Sequence, residues 1–325
     1  GSAAGVAVDG GEADSFGSAS DSGEAASFAE VAAAFDASAL DLDYSKRDAD
    51  ASFDDASAVH IVLGGGSASV EGDGATVDGS TVTISTEGVY VVSGSLDDGQ
   101  LAVEAPEDAK VQIVLAGATI HNEDGPAVYV KQADKCFITL ADGTQNALTD
   151  GAEYVLEDGS DEPYATLFSR ADLTLNGTGA LTVTSAYRHA VCSKDDLVIT
   201  GGTYVVNAVE DALRGRDCVK IADGDFTLIA GGDGIKSNKD TKATKGFVSI
   251  DGGTFVIEAG DDGIHAQTYL RIAGGDISIA AVDDALHSNL EGLLAGGALD
   301  IEAGDDAFHA ETKLVIDDGT VNVKA

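Results

Sequence analysis

The sequence predicts an all-β fold, a right-handed parallel β-helix (a solenoid of 22-residue coils), on three observations. Related pentapeptides recur as HAVCS, DALRG, DGIKS, DGIHA, DALHS and DAFHA. They start at residues 189, 211, 233, 262, 284 and 306, so the steps are 22, 22, 29, 22 and 22. A glycine keeps the same steps at 202, 224, 253, 275, 297 and 319. Apolar residues alternate after each glycine, as in Phe255/Ile257/Ala259 and Ile277/Ile279/Ala281. Two markers in one register identify units that bury their apolar faces on their neighbours, and alternation identifies those units as strands.

Each coil holds three short strands. One follows the glycine, from Tyr204/Val206/Ala208 to Leu299/Ile301/Ala303. A second points Leu213, Ile235, Ile264, Leu286 and Phe308 inward, and a third carries Val219/Ile221, Val248/Ile250, Leu270/Ile272 and Leu314/Ile316. The 29-residue step holds an insertion within Asn238 to Lys245, read as a loop. A leucine-rich repeat is excluded, because no LxxLxLxxN pattern occurs and no helix fits between the strands. The nine-residue calcium repeat is excluded because 22 is not a multiple of its period. Ser169–Leu173 echoes Ser193–Leu197 at a step of 24, which extends the solenoid back through irregular coils toward residue 60.

Residues 57–325 are therefore assigned to the β-helix, and residues 1–56 to an acidic, low-complexity leader or spacer rich in Ala, Gly, Ser and Asp. Within the leader, Glu24 to Leu40 predicts one short helix that packs on the end of the domain, with Phe28, Val31 and Phe35 on one face. The opening Gly1-Ser2 reads as a cloning remnant after a trimmed signal segment, so the expected location is extracellular or at the bacterial cell surface. The expected state is a monomer.

The charge narrows the partners. Lys and Arg number 18 against 57 Asp and Glu, a formal net charge of −39. Such a surface repels nucleic acid and anionic membranes and suits cations. There is no 18-residue apolar window to span a bilayer. Cys136, Cys192 and Cys218 form no CxxC or Cys/His zinc spacing; they read as small thiols, with one disulfide left open.

Stacking turns a residue repeated at each coil into a ladder with rungs about 4.8 Å apart. An acidic ladder runs through Glu210-Asp211, Asp233, Asp261-Asp262, Asp283-Asp284 and Asp305-Asp306. Carboxylates about 5 Å apart repel by roughly 3 kcal/mol at an effective dielectric near 20. Protonation, turn amides or a bound cation would relieve this, and Ca²⁺ is the cation such flexible oxygen donors suit. The competing reading is that each Asp only caps its turn. Three residues on, Arg214, Lys236, His265, His287 and His309 form a basic ladder, expected to face outward and bind sugar hydroxyls or uronate carboxylates. The competing reading there is neutralisation of the adjacent acids. The histidines recur on successive coils with no tetrahedral cluster, which argues against zinc.

The chain resembles the bacterial carbohydrate-binding right-handed β-helix family: secreted, calcium-binding, polysaccharide-lyase-like in fold, and long catalogued as a domain of unknown function. The resemblance covers about residues 57–325. It is carried by Thr81–Ile84, Gly88–Leu96, Asp97–Gln100, Val111–Leu115, Leu140–Asn146, Asp172–Gly177, Gly232–Ser237 and Asp261–Ala266. It implies Ca²⁺ held by turn aspartates, with Asp233, Asp261, Asp262, Asp283, Asp284, Asp305 and Asp306 the candidates; Asp211 joins them as a metal candidate from the acidic ladder. The resemblance also implies binding of plant cell-wall polysaccharide without demonstrated catalysis. The chain departs from the family pattern at Glu210–Gly215 and at Ala285 and Ala307. No Trp is present and regular coils hold few Tyr, so flat aromatic platforms are scarce, and soluble acidic or hemicellulosic chains are favoured over crystalline cellulose. Two alternatives remain. One is a Ca²⁺-dependent β-eliminating lyase with Lys236 or Arg214 as base. The other is a structural adhesin or stalk.

Overall fold

The computed structural model describes residues 26–324 and shows a β-protein of two long sheets, of 18 and 11 strands. Apart from the first hairpins, neighbouring strands pair in parallel, and each partner comes from the coil before or after. The larger sheet contains two rows. One runs through Cys218–Ile221, Phe247–Ile250 and Tyr269–Ile272, and the other through Asp225–Ala230, Thr254–Ala259 and Asp276–Ala281. The smaller sheet stacks Leu213–Gly215, Ile235–Ser237, Ile264–Ala266, Leu286–Ser288 and His309–Ala310. In register, Leu213 stands beside Ile235, Ile235 beside Ile264 and Ile264 beside Leu286. The arrangement is that of a parallel β-helix.

Alternation explains the packing. In Asp225–Ala230, residues Phe226, Leu228 and Ala230 point inward and are buried, while Thr227 and Ile229 face solvent. Because like positions stack, Tyr204, Phe226 and Phe255 form an internal column, with ring centroids 5.1 and 4.6 Å apart and planes within 12° and 6°. The marker glycines turn the corner before this row. Gly253 has φ +103°, and a Cβ there would lie 2.7 Å from the Gly224 carbonyl oxygen. Only glycine satisfies both demands.

The first coils are closed by antiparallel pairings, Val59–Gly65 with Ala68–Glu71 and Ala75–Asp78 with Thr81–Ile84. The 29-residue step accommodates residues 239–246 as a loop outside the rows, tied back by Lys245 to Asp196 and Asp217. Cys136, Cys192 and Cys218 are free and buried.

The leader departs from expectation in its placement. Residues 1–25 of the predicted leader lie outside the described residues. The helix forms over Phe28–Ala34, with Ser27 and Glu30 as a capping box. The segment after the helix packs along a side of the solenoid rather than on its end. Leu40 lies against Cys218, Phe247 and Tyr269, and Asp48 is buried against Lys135 and Thr174. The reason is chemical: the outer positions of this strand row carry Gln112, Phe137, Thr174 and Lys220, which a polar strap can engage.

The aromatic column predicts a large local cost. Phe226→Ala should destabilise the fold by about 3–5 kcal/mol, read as a lower denaturation midpoint in urea.

Candidate functional site

The acidic ladder occupies the turn that enters the smaller sheet, and the structure divides it in two. Asp211, Asp233, Asp262 and Asp284 are buried, the most exposed of them at 5 %. Their Oδ1 atoms accept backbone N–H bonds from the next rung. Asp233 N donates to Asp211 at 3.0 Å, Asp262 N to Asp233 at 2.9 Å, Asp284 N to Asp262 at 3.1 Å and Asp306 N to Asp284 at 2.8 Å. Each carboxylate thus staples two coils, accepting the amide of the next coil rather than one of its own turn. Asp261, Asp283 and Asp305, one residue earlier, face solvent.

The remaining Oδ2 atoms of the inner row meet the basic ladder. Arg214 approaches Asp211 at 3.4 Å, and Lys236 approaches Asp233 at 2.6 Å. His265 Nδ1 lies 3.0 Å from Asp262, His287 Nδ1 lies 3.2 Å from Asp262 and 3.0 Å from Asp284, and His309 Nδ1 lies 3.3 Å from Asp306. This corrects the expectation that Arg214, Lys236, His265, His287 and His309 stand outward and exposed. Arg214 is buried and the other four are half-buried, because each side chain folds back over the aspartate three residues before it. Asp211 and Asp233 are committed to cations of the chain itself.

Electrostatics follow this pairing. Burial opposes ionisation of Asp262, but hydrogen bonds from His265 and His287 hold its carboxyl well below the usual carboxylate range. The bond to Asp262, against the opposing effect of burial, pushes His287 up to about 9. Burial and the neighbouring Asp211 push Asp233 up to about 6 despite Lys236. Downstream, burial and the charges of Asp262 and Asp283 raise Asp261.

Among the described residues, three groups of ligand atoms converge within 4.8 Å. They are Asp262/His265/His287, Asp261/Asp262/Asp283 and Asp283/Asp284/Asp305. Of the eight predicted cation ligands, five therefore fall in clusters, while Asp211, Asp233 and Asp306 do not.

The sequence reading missed a third row, two residues beyond the basic ladder: Arg216, Asn238, Gln267, Asn289 and Glu311. It was readable at the same step. His287 Nε2 lies 2.8 Å from Asn289 Oδ1. Asn238 Oδ1 and His265 Nε2 are buried and find no hydrogen-bond partner among the described residues. His189 was also missed as a ladder member. It sits one coil before Asp211, and its Nδ1 accepts the Asp211 N–H at 3.1 Å. Burial pushes it down to about 3, so it is neutral.

The His287 pairing has a pH signature. Its folded pKa lies above the ordinary value of 6.5. Its contribution is thus fully present below pH 6.5, declines as pH rises, and is lost above about 9. Wild-type unfolding free energy should fall by roughly 1 kcal/mol from this group across that window, after solvent screening. In His287→Gln the decline should shrink, as read by urea melts at stepped pH.

Known proteins share this architecture. A family model described as "Carbohydrate-binding domain-containing protein" matches residues 78–324. A carbohydrate-binding domain-containing protein of Acetivibrio thermocellus is 38% identical over 122 residues, 37% of this chain. That alignment spans 43% of the relative's own length, less than half of it. The solved structure of the polysaccharide lyase-like protein from C. thermocellum, a gadolinium derivative, superposes with a TM-score of 0.68 at 31% identity, covering 81% of this chain and 99% of that one. The match over most of the described coils makes the chain a member of the carbohydrate-binding domain family, with a polysaccharide-lyase-like all-β fold.

Proposed function

We propose that this chain binds polysaccharide without cleaving it, through Ca²⁺ held at the outer carboxylates of the aspartate corner. The observation that carries this is the pair of oxygen-only clusters sharing Asp283. The inner aspartates use Oδ1 on backbone amides and Oδ2 on the chain's own cations, so the solvent-facing Asp261, Asp283 and Asp305 add negative charge that forms no ion pair among the described residues. Hard, flexible oxygen donors of this kind suit Ca²⁺ better than Mg²⁺. When bound, the ion would supply a bridge from these carboxylates to the carboxylates or hydroxyls of an acidic glycan.

The surface is taken to wind right-handed on a basic 22-residue coil, since parallel crossovers almost always take that hand. An extracellular or cell-surface location and a monomeric state fit so acidic a molecule.

Two competing chemistries are disfavoured by geometry. In a zinc site, His265 and His287 would have to aim in-plane lone pairs at one ion. Their rings are stacked within 7° at 4.7 Å, so the lone pairs run side by side. In a lyase, Lys236 or Arg214 would act as base. Arg214 cannot give up its proton in a protein. Burial opposes charge on Lys236, yet Asp211 and Asp233 raise its pKa, which makes it a poor base.

Binding of oligogalacturonate should require Ca²⁺ and vanish in EDTA, with no unsaturated product formed in either condition. Asp283→Asn, which touches both clusters, should weaken Ca²⁺ binding at least about tenfold by calorimetry while the thermal melt stays near wild type. Unchanged Ca²⁺ affinity in that variant would remove the corner as the ion site.

A further inference from the structure

We propose that the strap formed by residues 36–57 is a displaceable self-ligand, and that the strand-row face beneath it is a second, latent site for an extended uronate-type glycan. This face is separate from the aspartate corner, and its ligand is held without Ca²⁺.

Most hydrogen bonds here run from the sheet to the strap. Lys220 Nζ donates to the Asp43 carbonyl at 2.7 Å and to that of Asp41 at 3.3 Å. The Asp48 carbonyl accepts from Asn176 at 3.1 Å and from Thr200 at 2.8 Å. The Asp48 carboxylate accepts from Thr174 at 2.6 Å and pairs with Lys135 at 2.7 Å. Returning bonds are fewer, from Arg47 to Gln112 and from Tyr44 to Asp251. The sheet therefore reads the strap as a line of oxygen acceptors with a carboxylate among them. Three of those acceptors are backbone carbonyls, which carry no side-chain identity. An acidic sugar chain presents the same chemistry.

The face below also has the composition of a glycan cleft. Phe137, Phe247 and Tyr269 lie under or beside the strap, with Arg47 and Lys135 over the Phe137 ring. Tyr204, Phe226 and Phe255, by contrast, are buried in the core column. Lys135 and Lys220 find strap oxygens as their partners, and Arg271 pairs with Asp251, which also holds Tyr44. Removing the strap would take from Lys135 and Lys220 their strap partners, leaving Asp172 as the acid beside Lys135, along one face of a chain with net charge −39. That is local charge complementarity to a polyanion against the sign of the molecule.

A tethered segment competes at a high effective concentration, so the face is masked in the intact chain. The apparent affinity is lowered by the fraction of molecules with the strap lifted. The connection back into the first strand, residues 53–57, is exposed and is the natural place to cut the tether.

The test inserts a protease site between Asp55 and Ala56, cleaves the folded full chain, dilutes it, and measures binding to oligogalacturonate in EDTA. Working without Ca²⁺ keeps the corner silent, so failure of either proposal is read separately. Intact protein should show no measurable binding, and cleaved protein should gain binding at least about tenfold above the detection limit. A synthetic peptide of residues 36–57 should compete, and Lys220→Ala should abolish the gain. Asp48→Lys, which sets a like charge against Lys135, should raise binding without cleavage. The proposal is overturned if the cleaved chain sheds the peptide, keeps its β-sheet circular dichroism and binds no better. It is equally overturned if the peptide never leaves, or leaves only as the sheets melt, because the strap is then an integral part of the fold.

Discussion

The structure depends on one repeated contact, an aspartate oxygen accepting the backbone amide of the next coil. Parallel stacking places a turn amide above each Asp of the inner row, and a carboxylate is the side chain that accepts such a bond most strongly. The bond is sensitive to register. A slip of one residue would turn each strand's apolar set to solvent and also separate each carboxylate from its amide. Hydrophobic alternation and the Asp ladder therefore specify the same alignment, the kind of agreement between levels that singles out one fold.

Burying a file of carboxylates is costly unless each is compensated. The chain answers with a parallel file of Arg214, Lys236, His265, His287 and His309, folded back onto the acids. Half of each carboxylate thus serves architecture and the other half electrostatic balance. What remains for an external cation lies one residue earlier, on the solvent side of the doublets. Upstream, Gly232 leaves one rung without a doublet, and in the other Glu210 pairs with Arg188 and Asp211 with Arg214. This explains why the converging oxygen clusters gather in the last coils.

Much of this was legible in the sequence because periodicity is a one-dimensional record of stacking. The glycine marker, the inward Leu213/Ile235/Ile264/Leu286 file and the acidic corner could each be placed by counting. Direction was harder. Counting puts His265 three residues after Asp262, but whether it reaches outward or folds back depends on the competition between solvation and a nearby buried charge. The strap was illegible for a different reason. Its bonds to the sheet join residues such as Asp48 and Thr200, 152 positions apart, and no repeat relates them. A segment that bonds through its backbone carbonyls leaves little trace in its own residue types.

The strap's path also sets an order of events in folding. Leu40 packs on Tyr269 and Tyr44 bonds Asp251, each more than two hundred residues later in the chain. During synthesis the coils can zip onto one another as they emerge, each needing only its predecessor. The strap, made earlier, has no landing place until late coils exist, and so the part born before the sheets settles after them. Contacts of such long range slow the final step and leave the strand-row face bare while the chain grows.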